Sequence, residues 1–244
     1  MMPGLYIGCA GWSLARENWP DFPDEGSHLQ RYASRFNAVE INSSFYRPHS
    51  AETYARWAES VPAGFRFSVK MPKLITHELR LRECEAVLAT FLSQCTAMDD
   101  KLGCLLVQLP PSLDYAPQIA DGFFKALRNQ YAGRVVLEPR HQSWRQAQAL
   151  LIEHRIAQVA AIRHKQRWAP ARWVAGCSLL APARCTENLS QRLYRRASGR
   201  LGRASVGVCS TGNRDLVHLD NTASGAAVGD ALALQALVKC NRAE

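Results

Sequence analysis

Phe65-Arg66-Phe67-Ser68-Val69-Lys70 alternates apolar and polar side chains one residue at a time. A period of two marks a β-strand whose two faces meet different surroundings. Phe65, Phe67 and Val69 share one face, and Arg66, Ser68 and Lys70 the other. The same division recurs on both sides of this stretch. Residues 38–42 set Val39 and Ile41 against Ala38, Glu40 and Asn42. Residues 104–109 set Leu105, Val107 and Leu109 against Cys104, Leu106 and Gln108. Residues 135–140 set Val135 and Leu137 against Val136, Glu138 and Arg140. Residues 216–220 set Val217 and Leu219 against Leu216, His218 and Asp220. In each, the polar group falls on one parity and towards the C-terminal end.

Further strands are expected at 5–9 and 158–162, and amphipathic segments lie between the runs. Ser50 is the expected N-cap of a helix over 51–60, with Glu52 in its first turn and Pro62 beyond its end. Residues 83–98 place Val87, Leu88, Phe91 and Leu92 at helical spacing, Ser143 reads as the cap of a following helix, and 228–239 is helical in pattern. Unbroken strand–helix alternation predicts parallel strands joined by right-handed crossovers. The long gap after 162 leaves room for one more strand, for which 173–180 is the candidate. Eight units predict one α/β domain over 1–244, a TIM-type (β/α)8 barrel, with an irregular or poorly formed region around strand 7. No Gly-x-Gly-x-x-Gly follows the first strand, which argues against a dinucleotide fold.

The hydrophobic fraction of 47% supports a substantial core. No stretch approaches the roughly 18 apolar residues of a membrane span. Met1-Met2-Pro3-Gly4 has neither the basic nor the long apolar region of a signal peptide, so a cytoplasmic location with no membrane partner is expected. Cys9, Cys84, Cys95, Cys104, Cys177, Cys185, Cys209 and Cys240 are scattered, with no C-x2-C pair. They read as small buried hydrophobes, with no disulfide-linked partner expected.

Active sites of such barrels gather at the C-terminal ends of the strands. The convergent set there is Glu40, Asn42, Lys70, Gln108, Glu138, Arg140 and Asp220, with Trp12, Tyr46, His77, His141 and Asn221 on the loops that follow. Lys70 and Arg140 suit a carboxylate or phosphate. Glu40 and Glu138 suit general acid and base roles if their environments separate them. The expected function is a hydrolase or lyase acting on an anionic or phosphorylated substrate, with Glu40, Glu138 and Lys70 catalytic and the rest binding the ligand. The alternative is a non-catalytic barrel that binds a ligand or nucleic acid, its polar groups only satisfying one another. Glu40, Glu138, Asp220 and His141 are also of the type that holds a divalent metal, although no H-x-H or H-E-x-x-H spacing supports one.

At these residues the chain resembles the YecE-like family, the domain of unknown function 72. The matching stretches are Ile7-Gly8-Cys9-Ala10-Gly11-Trp12, Val39-Glu40-Ile41-Asn42-Ser43-Ser44-Phe45-Tyr46, and Phe65 to Lys70 with Ile75-Thr76-His77. Val107-Gln108-Leu109-Pro110-Pro111, Glu138-Pro139-Arg140-His141-Gln142-Ser143-Trp144 and Asp220-Asn221-Thr222-Ala223 complete the set. The resemblance covers 5–161 and 215–238. It implies a TIM-type barrel and no particular reaction, because the family has no assigned activity.

The resemblance lapses over 162–212, an anomalous basic segment. Residues 163–203 hold ten Lys/Arg against Glu187 alone, which equals the whole net charge of +9. Where the family carries Asp-Pro after Val159-Ala160-Ala161, this chain has Ile162-Arg163. Divergence of the segment or a shifted reading frame is the first reading, since a frame shift would explain an Arg-rich stretch in GC-rich coding sequence. A solvated, disordered region is the second reading. A nucleic-acid-binding insert, with Trp168, Trp173 and Tyr194 among the bases, is the third.

Overall fold

In the strands around residues 39, 68, 106 and 137 the apolar parity packs into the main core, and most of the opposite, polar parity is buried as well. A computed structural model describes residues 5–162, 205–211, 214–220 and 227–240. Its strands are β1 (Leu5–Cys9), β2 (Ala38–Ile41), β3 (Arg66–Lys70), β4 (Leu102–Gln108), β5 (Val135–Glu138), β6 (Ile156–Gln158), β7 (Ala160–Ile162), β8 (Ser205–Thr211) and β9 (Arg214–Asp220). The α-helices are α1 (His28–Ala33), α2 (Ala51–Glu59), α3 (Glu85–Cys95), α4 (Pro117–Gln130), α5 (Gln148–Glu153) and α6 (Ala227–Cys240). One sheet is wholly parallel, in the order β2-β3-β4-β5-β6. The other runs β1-β9-β8-β7. There β1 and β9 are parallel, while β9–β8 and β8–β7 are antiparallel. The chain is therefore an α/β fold with a parallel sheet.

Val39, Ile41, Phe67, Val69, Leu105, Val107, Val135 and Leu137 pack into the main core with Leu88 and Phe91 of α3 and Phe124 and Leu127 of α4. On the opposite face Cys104, Leu106 and Val136 form a separate small cluster beside Ala157 and Val159. The two clusters are the two parities of one sheet, as side-chain alternation requires. Local sequence sets the helix ends. Ser27 and Gln30 form a capping box on α1, and Ser50 accepts the Thr53 N–H at the start of α2.

Four side-chain and backbone devices close the seam between β1 and β2. Asn37 Oδ1 accepts from Ile7 N (2.9 Å), and Asn37 Nδ2 donates to Leu5 O (2.9 Å). Its amide thus takes the place of a strand partner. Tyr32 Oη accepts from Cys9 N (2.8 Å) and donates to Ala38 O (2.9 Å). Gly11 N donates to Glu40 O at 2.9 Å, beside a parallel bridge between Ala10 and Glu40. Gly8 allows the approach, because a Cβ there would stand 2.0 Å from Ala38 O.

Three expectations change. Residues 158–162 are not one strand. Val159 N still donates to Leu137 O (2.8 Å), alongside the β5–β6 pairing, and the next residues join the other sheet. The wholly parallel pattern also gives way, because β8 was not foreseen. Only Gly212 and Asn213 separate β8 from β9, and a two-residue link joins antiparallel strands only. Ser143 is not the cap of α5. Its Oγ accepts from Tyr115 N (2.7 Å), and a 3-10 turn (Gln142–Ala147) capped by His141 precedes the helix. The candidate strand at 173–180 and residues 163–204 of the basic segment lie outside the described residues.

Among the described residues no helix is long and apolar enough to cross a membrane. Cys9, Cys84, Cys95 and Cys104 are free and buried, as small hydrophobes. Burial is the largest cause that pushes their thiols up, to about 12, 11, 12 and 11 respectively. At neutral pH they carry no reactive thiolate.

Candidate functional site

The polar parity reaches its C-terminal end in two hydrogen-bonded groups. The first centres on Lys70, the last residue of β3, which is 7% exposed. Its Nζ donates to Asn42 Oδ1 at 3.0 Å and lies 4.6 Å from the centre of the Phe45 ring. A cation over an aromatic face gains from the ring quadrupole. The turn after β2 is fixed by Ser44, whose Oγ donates to Ile41 O (2.8 Å) and Lys70 O (2.6 Å). That hydroxyl ties the Phe45 loop to the end of β3.

The second group spans β4 and β5, where Gln108 and Glu138 stand opposite each other in register. Gln108 Nε2 donates to Glu138 Oε2 at 2.6 Å. Arg140 Nε donates to Glu138 Oε1 at 3.2 Å, and its Nη2 approaches the same oxygen at 3.2 Å. Both carboxylate oxygens are engaged. The Glu138 side chain is 11% exposed and that of Arg140 26%. A carboxylate so held fixes the guanidinium in place.

His77 packs on the first group and feels the charge of Arg140 in the second. It sits in a π turn, Leu74–Glu78, just past the end of β3. Single π turns are rare and recur at functional sites. His77 Nδ1 is 2.8 Å from Thr76 Oγ1, and its ring meets the Phe45 ring edge-on at 4.9 Å. Burial, then the charges of Lys70, Arg140 and Lys73, hold His77 below the ordinary histidine value. Its imidazole is therefore neutral at pH 7, in a cationic setting.

Glu40 lies deeper and is 5% exposed. Its neighbours in register are Ser68 and, beyond it, Cys104. Cys104 Sγ donates to Ser68 Oγ at 3.4 Å, and the Glu40 charge adds to burial in raising the Cys104 thiol.

Tyr46 is 70% exposed and stands edge-on to Phe45 at 5.0 Å. Trp12 packs edge-on against Trp57 at 5.1 Å, and both rings lie half-buried against the main core. His141 is turned to its own loop, with Nδ1 2.7 Å from Ser143 Oγ and accepting Ser143 N–H at 3.3 Å. Asp220 ends β9, opposite Ser205. Asn221 lies outside the described residues. Among the described residues no three His, Cys, Asp or Glu side chains converge to hold a metal ion. Sequence reasoning passed over Phe45, the ring shared by Lys70, His77 and Tyr46. Its only signal was its place between two chosen residues in Ser43-Ser44-Phe45-Tyr46. Ser68 shares the parity of Lys70 and could have been named on that ground.

The profile of the family described as "Protein of unknown function DUF72" matches residues 6–244. The UPF0759 protein YecE of Escherichia coli is 34% identical over 107 residues, 43% of this chain and 38% of the relative. The UPF0759 protein YunF of Bacillus subtilis is 28% identical over 147 residues, 57% of this chain and 52% of the relative. These matches thus span about half or less of the curated relatives' length. The solved structure of a DUF72 family protein from Enterococcus faecalis superposes with a TM-score of 0.68 at 17% identity, covering 96% of this chain and 95% of the other. One from Thermotoga maritima gives 0.66 at 20% identity, covering 97% and 100%. At such identities the likeness concerns the fold alone.

Proposed function

This chain belongs to the DUF72 family, and from the polar side chains at the ends of its strands we propose a mouth that binds a small anionic or phosphorylated compound and acts on it as a hydrolase or lyase. The scaffold of the reading is a TIM-type barrel. Its support is that the two sheets adjoin at both borders. Asn37, Tyr32 and the Ala10–Glu40 bridge join β1 to β2, and Val159 alone separates β6 from β7. One closed surface would then carry the polar parity inside, with its C-terminal end open to ligand.

The observation that carries the reading is the pair of held cations. Lys70 is oriented by Asn42 and Phe45, and Arg140 by Glu138. Two cations fixed by their neighbours need little reorganisation to meet an anion. A neutral His77, which feels both charges, adds no competing charge and supplies a group able to exchange a proton. Engagement of both Glu138 oxygens makes that residue the holder of Arg140, and Glu40, a buried carboxylate on the same parity of β2, is the acid/base of the proposed reaction. The same engagement favours the second reading, a non-catalytic binder, if Glu40 takes no part in proton transfer.

Calorimetric titration with inorganic phosphate tests the binding. Lys70→Ala and Arg140→Ala should each weaken it by about tenfold or more, since charge-assisted hydrogen bonds contribute about 1.5–3 kcal/mol. Phosphate affinity unchanged in both variants, or none in the parent, refutes the anion site. For any substrate then identified, Glu40→Gln that keeps full turnover removes the catalytic role and leaves the binder.

A further inference from the structure

We propose that the ligand of this mouth is a nucleotide, its base lying on Tyr46 and its phosphate between Lys70 and Arg140. The inference rests on the anion-binding reading above and adds the other half of the ligand.

Tyr46 is the starting point. A tyrosine ring gains by leaving water, yet this one is 70% exposed, the most exposed large side chain of its kind among the described residues. It does not wave free of the fold. It meets Phe45 edge-on, with ring centres 5.0 Å apart and planes at 87°. Phe45 is in turn the ring over which Lys70 Nζ stands at 4.6 Å and against which His77 packs at 4.9 Å. Ser44 pins this loop to both β2 and β3 through its two carbonyl contacts. The aromatic platform and the cation therefore flank one ring on one anchored loop.

That juxtaposition selects the ligand. A bare phosphate or a carboxylate would use Lys70 and Arg140 and leave the Tyr46 face in water. A flat π-system joined to a phosphate uses both. Base–aromatic stacking is tolerant of base identity, because every base has a π-face. No particular base is singled out, and the chemistry is shared by a mononucleotide and by the phosphorylated end of a single strand.

The test is calorimetric titration of the full chain with AMP, ribose 5-phosphate, adenosine and a short 5′-phosphorylated oligothymidine. AMP should bind about fivefold or more tighter than ribose 5-phosphate, the lower end of measured stacking contributions. Adenosine should bind more weakly than AMP. Tyr46→Ala should erase the preference for AMP while ribose 5-phosphate affinity stays within about twofold, and Tyr46→Phe should keep it. An oligothymidine tighter than AMP would make the strand end the ligand, and the reverse order the mononucleotide. Equal affinity for AMP and ribose 5-phosphate, or a preference that survives in Tyr46→Ala, overturns the nucleotide and spares the anion site. Failure of every phosphate compound to bind overturns both.

Discussion

Replacing Tyr32 by Phe removes one oxygen from the seam between β1 and β2 and nothing else. The ring is fully buried and packs against Phe36 at 4.8 Å and Phe65 at 6.4 Å, contacts that a phenyl group preserves. The hydroxyl accepts the Cys9 N–H at 2.8 Å and donates to Ala38 O at 2.9 Å. Burial pushes its pKa well up, so it carries its proton and remains a donor at neutral pH. In Tyr32→Phe both backbone groups lose that partner at a site without access to water. An unsatisfied buried donor or acceptor costs about 1–3 kcal/mol, so the pair costs about 2–6 kcal/mol. For a chain of this size each kcal/mol lowers the melting midpoint by about 2–4 °C, which predicts a fall of at least about 4 °C. Urea unfolding followed by far-UV circular dichroism, together with a thermal scan, measures it. A midpoint in either assay equal to that of the parent would refute the claim that this hydroxyl joins the two sheets.

Two further outcomes follow from the same geometry. Gly8→Ala should fail to accumulate as soluble protein, or lose about 3 kcal/mol, because the new Cβ would meet backbone oxygen rather than a yielding side chain; a stable, folded Gly8→Ala in the same urea assay would contradict the close approach. In histidine NMR titrations His77 should change charge below the ordinary histidine value, and Lys70→Ala should move it upward by removing a nearby cation. The folded state then binds fewer protons than the unfolded one between the two pKa values, so this group's contribution to stability rises with pH up to about 6.5 and is lost as pH falls. An unchanged His77 titration in Lys70→Ala would place that cation elsewhere.

Much of the site was legible because parity is a local property. Lys70, Gln108 and Glu138 end up on one surface because each is two or four residues from other members of its face. What parity could not give was partnership. Glu138 and Glu40 look alike in sequence, yet Glu138 ends its strand against Gln108 and Arg140, while Glu40 stands opposite Ser68, two residues before Lys70 in register. His77 and His141 also look alike, and each bonds a neighbouring hydroxyl, but only His77 packs on Phe45 and is held down by nearby cations. Phe45 was invisible because an apolar ring in a loop reads as packing until a cation is found over it.

The sequence alone determined which residues form strands over most of the chain, which face of each strand is apolar, and the family to which the chain belongs. Those follow from short-range alternation and from residue strings that need no partner to be recognised. Only the tertiary structure decided how the strands meet. Asn37 substitutes for a strand between β1 and β2, Val159 marks the passage from one sheet to the other, and β8 runs antiparallel beside β9. Direction and pairing depend on the lengths of links and on contacts between residues far apart in the chain, and hydrophobic periodicity carries neither.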